Sequence, residues 1–196
     1  ELQGFGTYNY GQDKDEIRGK ETGMYKYEFQ VPKEWKNKQV NIVFDGSMTD
    51  TKVKINGTSA GRMHQGSFYR FKYDISDLLK YGKPNLLEVS VDKHSENEGV
   101  NEAERRSDFW IFGGIFRPVF LEAKPRTNIE RIALDAKADG SFMIDVFLSN
   151  VRERMEVKAQ IKTLDGTAVS SPFSIILGKD QTVATLKTFA EDIKAW

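Results

Sequence analysis

A chain of 196 residues is long enough for one large β domain or for two domains of roughly 100 residues, each burying its own core. Its 29 basic and 29 acidic residues cancel, which argues against nucleic acid and anionic membrane as partners, and a 39% hydrophobic content with no long apolar run excludes both disorder and a membrane span. The absence of cysteine excludes disulfides, thiolate metal sites and a cysteine nucleophile.

The dominant period is two. Tyr25, Tyr27, Phe29 and Val31 alternate with Lys26, Glu28 and Gln30, as expected of a strand with one face on a core. The same alternation runs through Val40, Ile42 and Phe44, through Val53 and Ile55, through Tyr69, Phe71 and Tyr73, and through Leu87, Val89 and Val91. Asn56-Gly57 predicts a tight primed hairpin turn, a better reading of Asn56-Gly57-Thr58 than a glycosylation sequon. The stretch from Asp74 to Tyr81 offers at most two helical turns, closed by Gly82 and Pro84. Glu96, Glu98, Glu102 and Glu104 read as a solvated acidic loop. His64 and His94 lack metal-ligand spacing and read as loop histidines, solvated or locally bonded. Gly113-Gly114 lacks the lysine of a phosphate loop and reads as a tight turn.

A boundary is expected between Glu122 and Asn128, where Lys124-Pro125-Arg126-Thr127 forms a short polar connector. Beyond it, strands are expected over Ile129 to Lys137, over Phe142 to Leu148, over Met155 to Ile161, over Phe173 to Leu177 and over Val183 to Phe189, with turns at Asp139-Gly140 and Asp165-Gly166. Short strands at this spacing suggest an immunoglobulin-type sandwich, and five are fewer than the usual seven. The fold expected is all-β, in two domains, 1–124 and 128–196.

Several segments, in order, resemble glycoside hydrolase family 2. Gly23 to Pro32 is similar to the opening strand of that family's sugar-binding domain, Val53-Lys54-Ile55-Asn56-Gly57 to its hairpin, Gly61, His64, Gly66 and Phe68 with Tyr73-Asp74-Ile75 to the segment after it, and Asn85 to Val91 to a later strand. Asp108-Phe109-Trp110-Ile111-Phe112-Gly113-Gly114-Ile115-Phe116-Arg117-Pro118-Val119 resembles the family's glycine-isoleucine-aromatic-arginine signature. The resemblance implies a jelly-roll, galactose-binding-like domain over 1–124 and a truncated immunoglobulin-like sandwich over 128–196. A TIM barrel would follow, carrying both catalytic carboxylates of a retaining enzyme and absent from this chain. Family members continue past the tryptophan corresponding to Trp196 with further sandwich strands.

The resemblance also implies a substrate-binding set. Asp108 occupies the place of an aspartate that reaches into the sugar pocket of family β-galactosidases and, in some members, contacts a sodium ion; no other cofactor is implied. Arg106 and Trp110 supply the charged and aromatic groups that sugar recognition combines, although Trp110 could equally plug a gap between domains. Arg117 is expected to anchor the signature loop to backbone carbonyls or a carboxylate, and Phe116 and Phe120 to pack. Near the start, Gln12 lies closer than Asn9 to a second family contact. The function expected is the non-catalytic front of a β-galactosidase, bracing the barrel and lending a loop to a β-glycoside pocket. The alternatives are a free-standing carbohydrate-binding module and a purely structural adhesion domain. A periplasmic or secreted bacterial location is expected, without a signal peptide in this chain.

Overall fold

The computed structural model describes residues 21–106 and 112–191. These residues form fourteen strands and one α-helix, and the chain divides into two compact units between Ala123 and Lys124. The first unit holds β1 (Thr22–Gln30), β2 (Lys38–Phe44), β3 (Ser47–Met48), β4 (Asp50–Ile55), β5 (Thr58–Ser59), β6 (Phe71–Asp74), β7 (Pro84–Asp92), α1 (Glu98–Arg105) and β8 (Gly114–Ile115), with β9 (Val119–Pro125) running across the division.

One sheet has the order β1-β7-β4-β5, a second β6-β2-β9, and a short ladder joins β3 to β8. The core draws on both larger sheets: Val40, Ile42 and Phe44 from β2 pack with Val53 and Ile55 from β4 and Val89 and Val91 from β7. Each of these side chains contributes about 1.5 to 3 kcal/mol of burial, so this apolar layer is what holds the sandwich together. In β2 the alternation understates burial, because Asn41 and Val43 on its other face are buried too.

Turn residues set the registers. Asn56 and Gly57 have φ of 53° and 83°, the left-handed geometry of a primed turn, and they close the hairpin that pairs Ile55 with Thr58. The stretch after Asp74 holds a single 3₁₀ turn over Ser76–Leu78, within the two turns expected. Two expectations need correction: Tyr69 lies outside β6 and is exposed, and the acidic segment from Glu98 to Arg105 is a helix.

The second unit contains β10 (Asn128–Ala136), β11 (Ser141–Ser149), β12 (Met155–Ala159), β13 (Phe173–Leu177) and β14 (Val183–Phe189). These build the sheet β10-β11-β14 and the pair β12-β13, around a core of Val146, Leu148, Val157, Leu177, Ala184 and Leu186. Ile132 and Leu134 stand opposite Val146 and Ile144 in the ladder, yet remain 50% and 60% exposed.

Candidate functional site

The signature segment is described from Phe112 onward, and there its geometry follows from small and aromatic residues. Gly114, at φ 81°, turns the chain into β8, which pairs Gly114 with Met48 and Ile115 with Ser47. The guanidinium of Arg117 donates to the carbonyls of Asp45 (3.4 Å) and Phe68 (3.2 Å), as expected of an anchor. It also lies over the Phe116 ring, which stacks on Phe112 with centroids 5.3 Å apart and meets Phe68 edge-on. Phe120 departs from expectation: it is 40% exposed, and its ring is covered by Arg70 rather than by a core.

The other end of the segment is carried by α1. Asn97 caps the helix, its side chain accepting from the Gly99 N–H at 3.0 Å, with Glu98 in the first turn and Arg105 in the last. The helix seats itself through polar groups. Asn101, Glu104 and Arg105 are buried while Ala103 is exposed. Asn101 accepts from the Ser95 N–H (3.0 Å) and donates to the Ser95 carbonyl (2.9 Å), and Arg105 donates to the Lys93 carbonyl (2.7 Å). Both oxygens of Glu104 accept from the Ser67 N–H, at 3.1 and 2.9 Å. This corrects the solvated reading for Glu104, since a buried carboxylate persists only where donors meet it, whereas Glu96, Glu98 and Glu102 are exposed as expected.

Beneath the helix start, Asp50 is fully buried at the head of β4. Its Oδ2 accepts from the Glu96 N–H (2.7 Å) and from Gln65 Nε2 (3.1 Å). Ser47, Thr49, Thr51 and Ser67 complete this buried hydroxyl-rich platform, linked by Ser47 to Thr51 and Ser67 to Thr49 hydrogen bonds. His64 flanks it, pairing with Thr51 through the backbone, stacking on Phe71 at 3.7 Å and donating from Nε2 to the Gly66 carbonyl at 2.9 Å. Burial pushes the His64 pKa down, against the opposing pull of the Gly66 carbonyl and the Glu104 and Asp50 carboxylates.

Of the residues expected to touch sugar, Arg106 follows α1 directly, is exposed, and pairs with Glu102 one turn back. Asp108 and Trp110 lie outside the described residues, as do Asn9 and Gln12. Among the described residues no group of three or more His, Asp or Glu side chains is placed to hold a metal ion. Asp50, Ser67 and Asn101 escaped the sequence reading and Glu104 was read as solvated; the cap at Asn97 and the charges at the two ends of α1 were the signals available.

The profile described as glycosyl hydrolases family 2, sugar binding domain, matches residues 6–125. A β-galactosidase of Thermoanaerobacter pseudethanolicus is 34% identical over 130 residues, which cover 66% of this chain and 16% of that protein. A β-glucuronidase of Bacteroides fragilis is 30% identical over 148 residues, covering 74% of this chain and 20% of that protein. The chain therefore spans about an eighth to a fifth of the curated relatives it matches. A crystal structure of Bacteroides uniformis β-glucuronidase superimposes with a TM-score of 0.75 at 25% identity, over 90% of this chain and 23% of that one.

Proposed function

Because the chain belongs to glycoside hydrolase family 2 and carries that family's sugar binding domain, we propose that it is the non-catalytic front of a retaining β-galactosidase. In this reading the first unit is a jelly roll, the second an immunoglobulin-like sandwich, and the chemistry belongs to a barrel elsewhere in the same polypeptide. The exposed Ile132 and Leu134 support further strands covering the second sandwich. Arg106, Asp108 and Trp110 form one wall of the sugar pocket, the carboxylate and guanidinium bonding hydroxyls and the indole lying against the ring.

One observation carries the reading. The described residues on either side of 107–111 are fastened to two neighbouring stretches of backbone, Asp45 to Thr51 and His64 to Phe68, through the buried carboxylate of Glu104, the exposed guanidinium of Arg117 and the β3–β8 ladder. Fixed anchors on both sides are what a binding wall requires, since a contact must be held in place before the ligand arrives. The test compares the isolated chain with the full gene product on chromogenic β-galactoside, β-glucuronide and β-mannoside. Turnover of the galactoside by the full product alone is expected. Turnover by the isolated chain would overturn the division of labour, and preference for the glucuronide would overturn the choice of sugar.

A further inference from the structure

The edge of the larger sheet in the first unit is open. Among the described residues β1 lies outermost in the order β1-β7-β4-β5, and it pairs with β7 from Thr22 opposite Asp92 to Gln30 opposite Pro84 without a bulge or a proline of its own. A long, flat edge offers a row of backbone donors and acceptors to any strand that lies beside it, and bulges, prolines and short lengths are devices that prevent this. β1 has none of the three. From this edge and the order of its side chains we infer that β1 is a self-pairing surface, joining a second copy of the chain antiparallel across a twofold axis at Tyr27.

Charge selects the partner. On the outer face of the sheet the register sets Lys54 of β4 opposite Glu88 of β7, and Glu88 opposite Lys26 of β1, with Lys26 Nζ 3.2 Å from Glu88 Oε1. This row of alternating signs ends on a cation at the open edge, so the strand that continues it should bring a carboxylate. β1 itself carries one. Glu28 is exposed and forms no ion pair among the described residues, and with two copies antiparallel about Tyr27 the Lys26 of each faces the Glu28 of the other. Sliding one copy by two residues in either direction sets Lys26 against Lys26 or Glu28 against Glu28, and like charges directly opposite disfavour both registers. The charges thus fix the register more than the affinity, since exposed ion pairs contribute little by themselves.

The aromatic face supplies the affinity. Tyr25 and Phe29 pack against the core, whereas Tyr27, between them on the same face, is 66% exposed. All three line a cleft of about 730 Å³ together with Val119 and Leu121 of β9, the outermost strand of the other sheet. Pairing about Tyr27 sets that tyrosine against its own copy and Tyr25 against Phe29 of the second copy, and cross-strand aromatic pairs are among those that gain most from such contact. Exposed rings and open backbone edge are covered in one step by a patch complementary to itself, as a twofold interface requires.

The chain has no cysteine, so a single introduced one reports the register. Tyr27→Cys puts two sulfurs on the axis, where opposite residues of an antiparallel pair stand about 4.5 to 5.5 Å apart at Cα, within reach of a disulfide. Gln30→Cys faces Met24 of the second copy and lies six residues, about 20 Å, from its own counterpart. Mild oxidation of the 196-residue chain should therefore link Tyr27→Cys into dimers and leave Gln30→Cys unlinked. In sedimentation equilibrium the wild type should approach twice its monomer mass as concentration rises. Lys26→Glu sets two carboxylates opposite each other at both symmetry-related positions and should raise the dimer dissociation constant about tenfold. Adding Glu28→Lys should restore it; both variants lose the bridge to Glu88, so the recovery reports the contact across the axis. If Lys26→Glu fails to fold, the cysteine pair still decides. A wild-type chain that stays monomeric, a dimer that ignores both charge changes, or cross-linking that is absent at Tyr27→Cys or equal in the two cysteine variants would overturn the assignment to β1.

Discussion

The side-chain amides of Asn56 and Asn85 meet at 2.9 Å, Asn56 Nδ2 donating to Asn85 Oδ1. Around this contact the hydrogen bonding closes. Asn56 also donates to the Leu78 carbonyl and accepts from the Leu86 N–H, while Asn85 donates to the Lys80 and Lys83 carbonyls and accepts from the Lys80 N–H. The hairpin turn is thereby tied to the loop that precedes β7. The Asn56 amide is committed to this network, which is why the turn reading outranks the glycosylation reading of the same three residues.

Asn85→Ala should therefore be among the more damaging single changes in the first unit. Asn85 is 2% exposed, and its removal strands the Lys80 N–H and leaves Asn56 without its partner. The expected cost is about 2 to 3 kcal/mol, read from chemical denaturation as a lower midpoint with an unchanged slope. A loss below about 0.5 kcal/mol would mean that water replaces these bonds freely.

His64 gives the first unit a pH dependence of definite sign. Burial lowers its pKa in the fold, so between the folded value and the unfolded value of about 6.5 the unfolded chain binds more protons. Stability is then fully present above the unfolded value and falls as pH drops through that window. Melting temperatures from pH 7.5 to 5 should decline in the wild type and flatten in His64→Gln, which keeps a donor for the Gly66 carbonyl. Equal slopes in the two proteins would assign the decline to other groups.

Much of this architecture was legible because its signals are apolar and local. The alternation in β7 and β11, the Asn56-Gly57 turn and the Arg117 anchor follow from periodicity, turn chemistry and charge, and the structure has each of them. The helix α1 was illegible for a physical reason. Apolar period is the usual helix signal, but here the inward face is Asn101, Glu104 and Arg105, and Ala103 points outward. Nothing in Glu96 to Glu104 taken alone indicates that a backbone N–H thirty-odd residues earlier waits for one of those carboxylates. The platform was hidden likewise, since Asp50 and Ser67 read as surface residues until the fold buries them.

Gly46 sits where the platform leaves no room. A Cβ there would lie 2.9 Å from the Ser67 carbonyl oxygen and 3.0 Å from Cδ of Arg117. The arginine can bend away, but the carbonyl belongs to a residue whose N–H is held by the buried carboxylate of Glu104. Gly46→Ala should cost about 1 to 3 kcal/mol of overpacking, read as a lower midpoint of chemical denaturation. A variant with wild-type stability would show that the backbone near Ser67 yields without consequence.

Arg106 separates direct contact from scaffolding, because its neighbour provides the contrast. Arg105 is buried and bonded to the Lys93 carbonyl, so its loss must disturb α1. The Arg106 side chain is 68% exposed, and it pairs with Glu102, itself 45% exposed. Such a pair contributes less than about 1 kcal/mol and is screened by salt. Arg106→Ala should therefore leave the melting temperature within about 4 °C of wild type, on the expected shift per kcal/mol for a chain of this size. Any rise in KM then reports a lost bond to the sugar rather than a displaced helix, and about 3- to 30-fold is expected if the guanidinium meets a hydroxyl. An unchanged KM at unchanged stability would take Arg106 out of the pocket and leave the wall to Asp108 and Trp110.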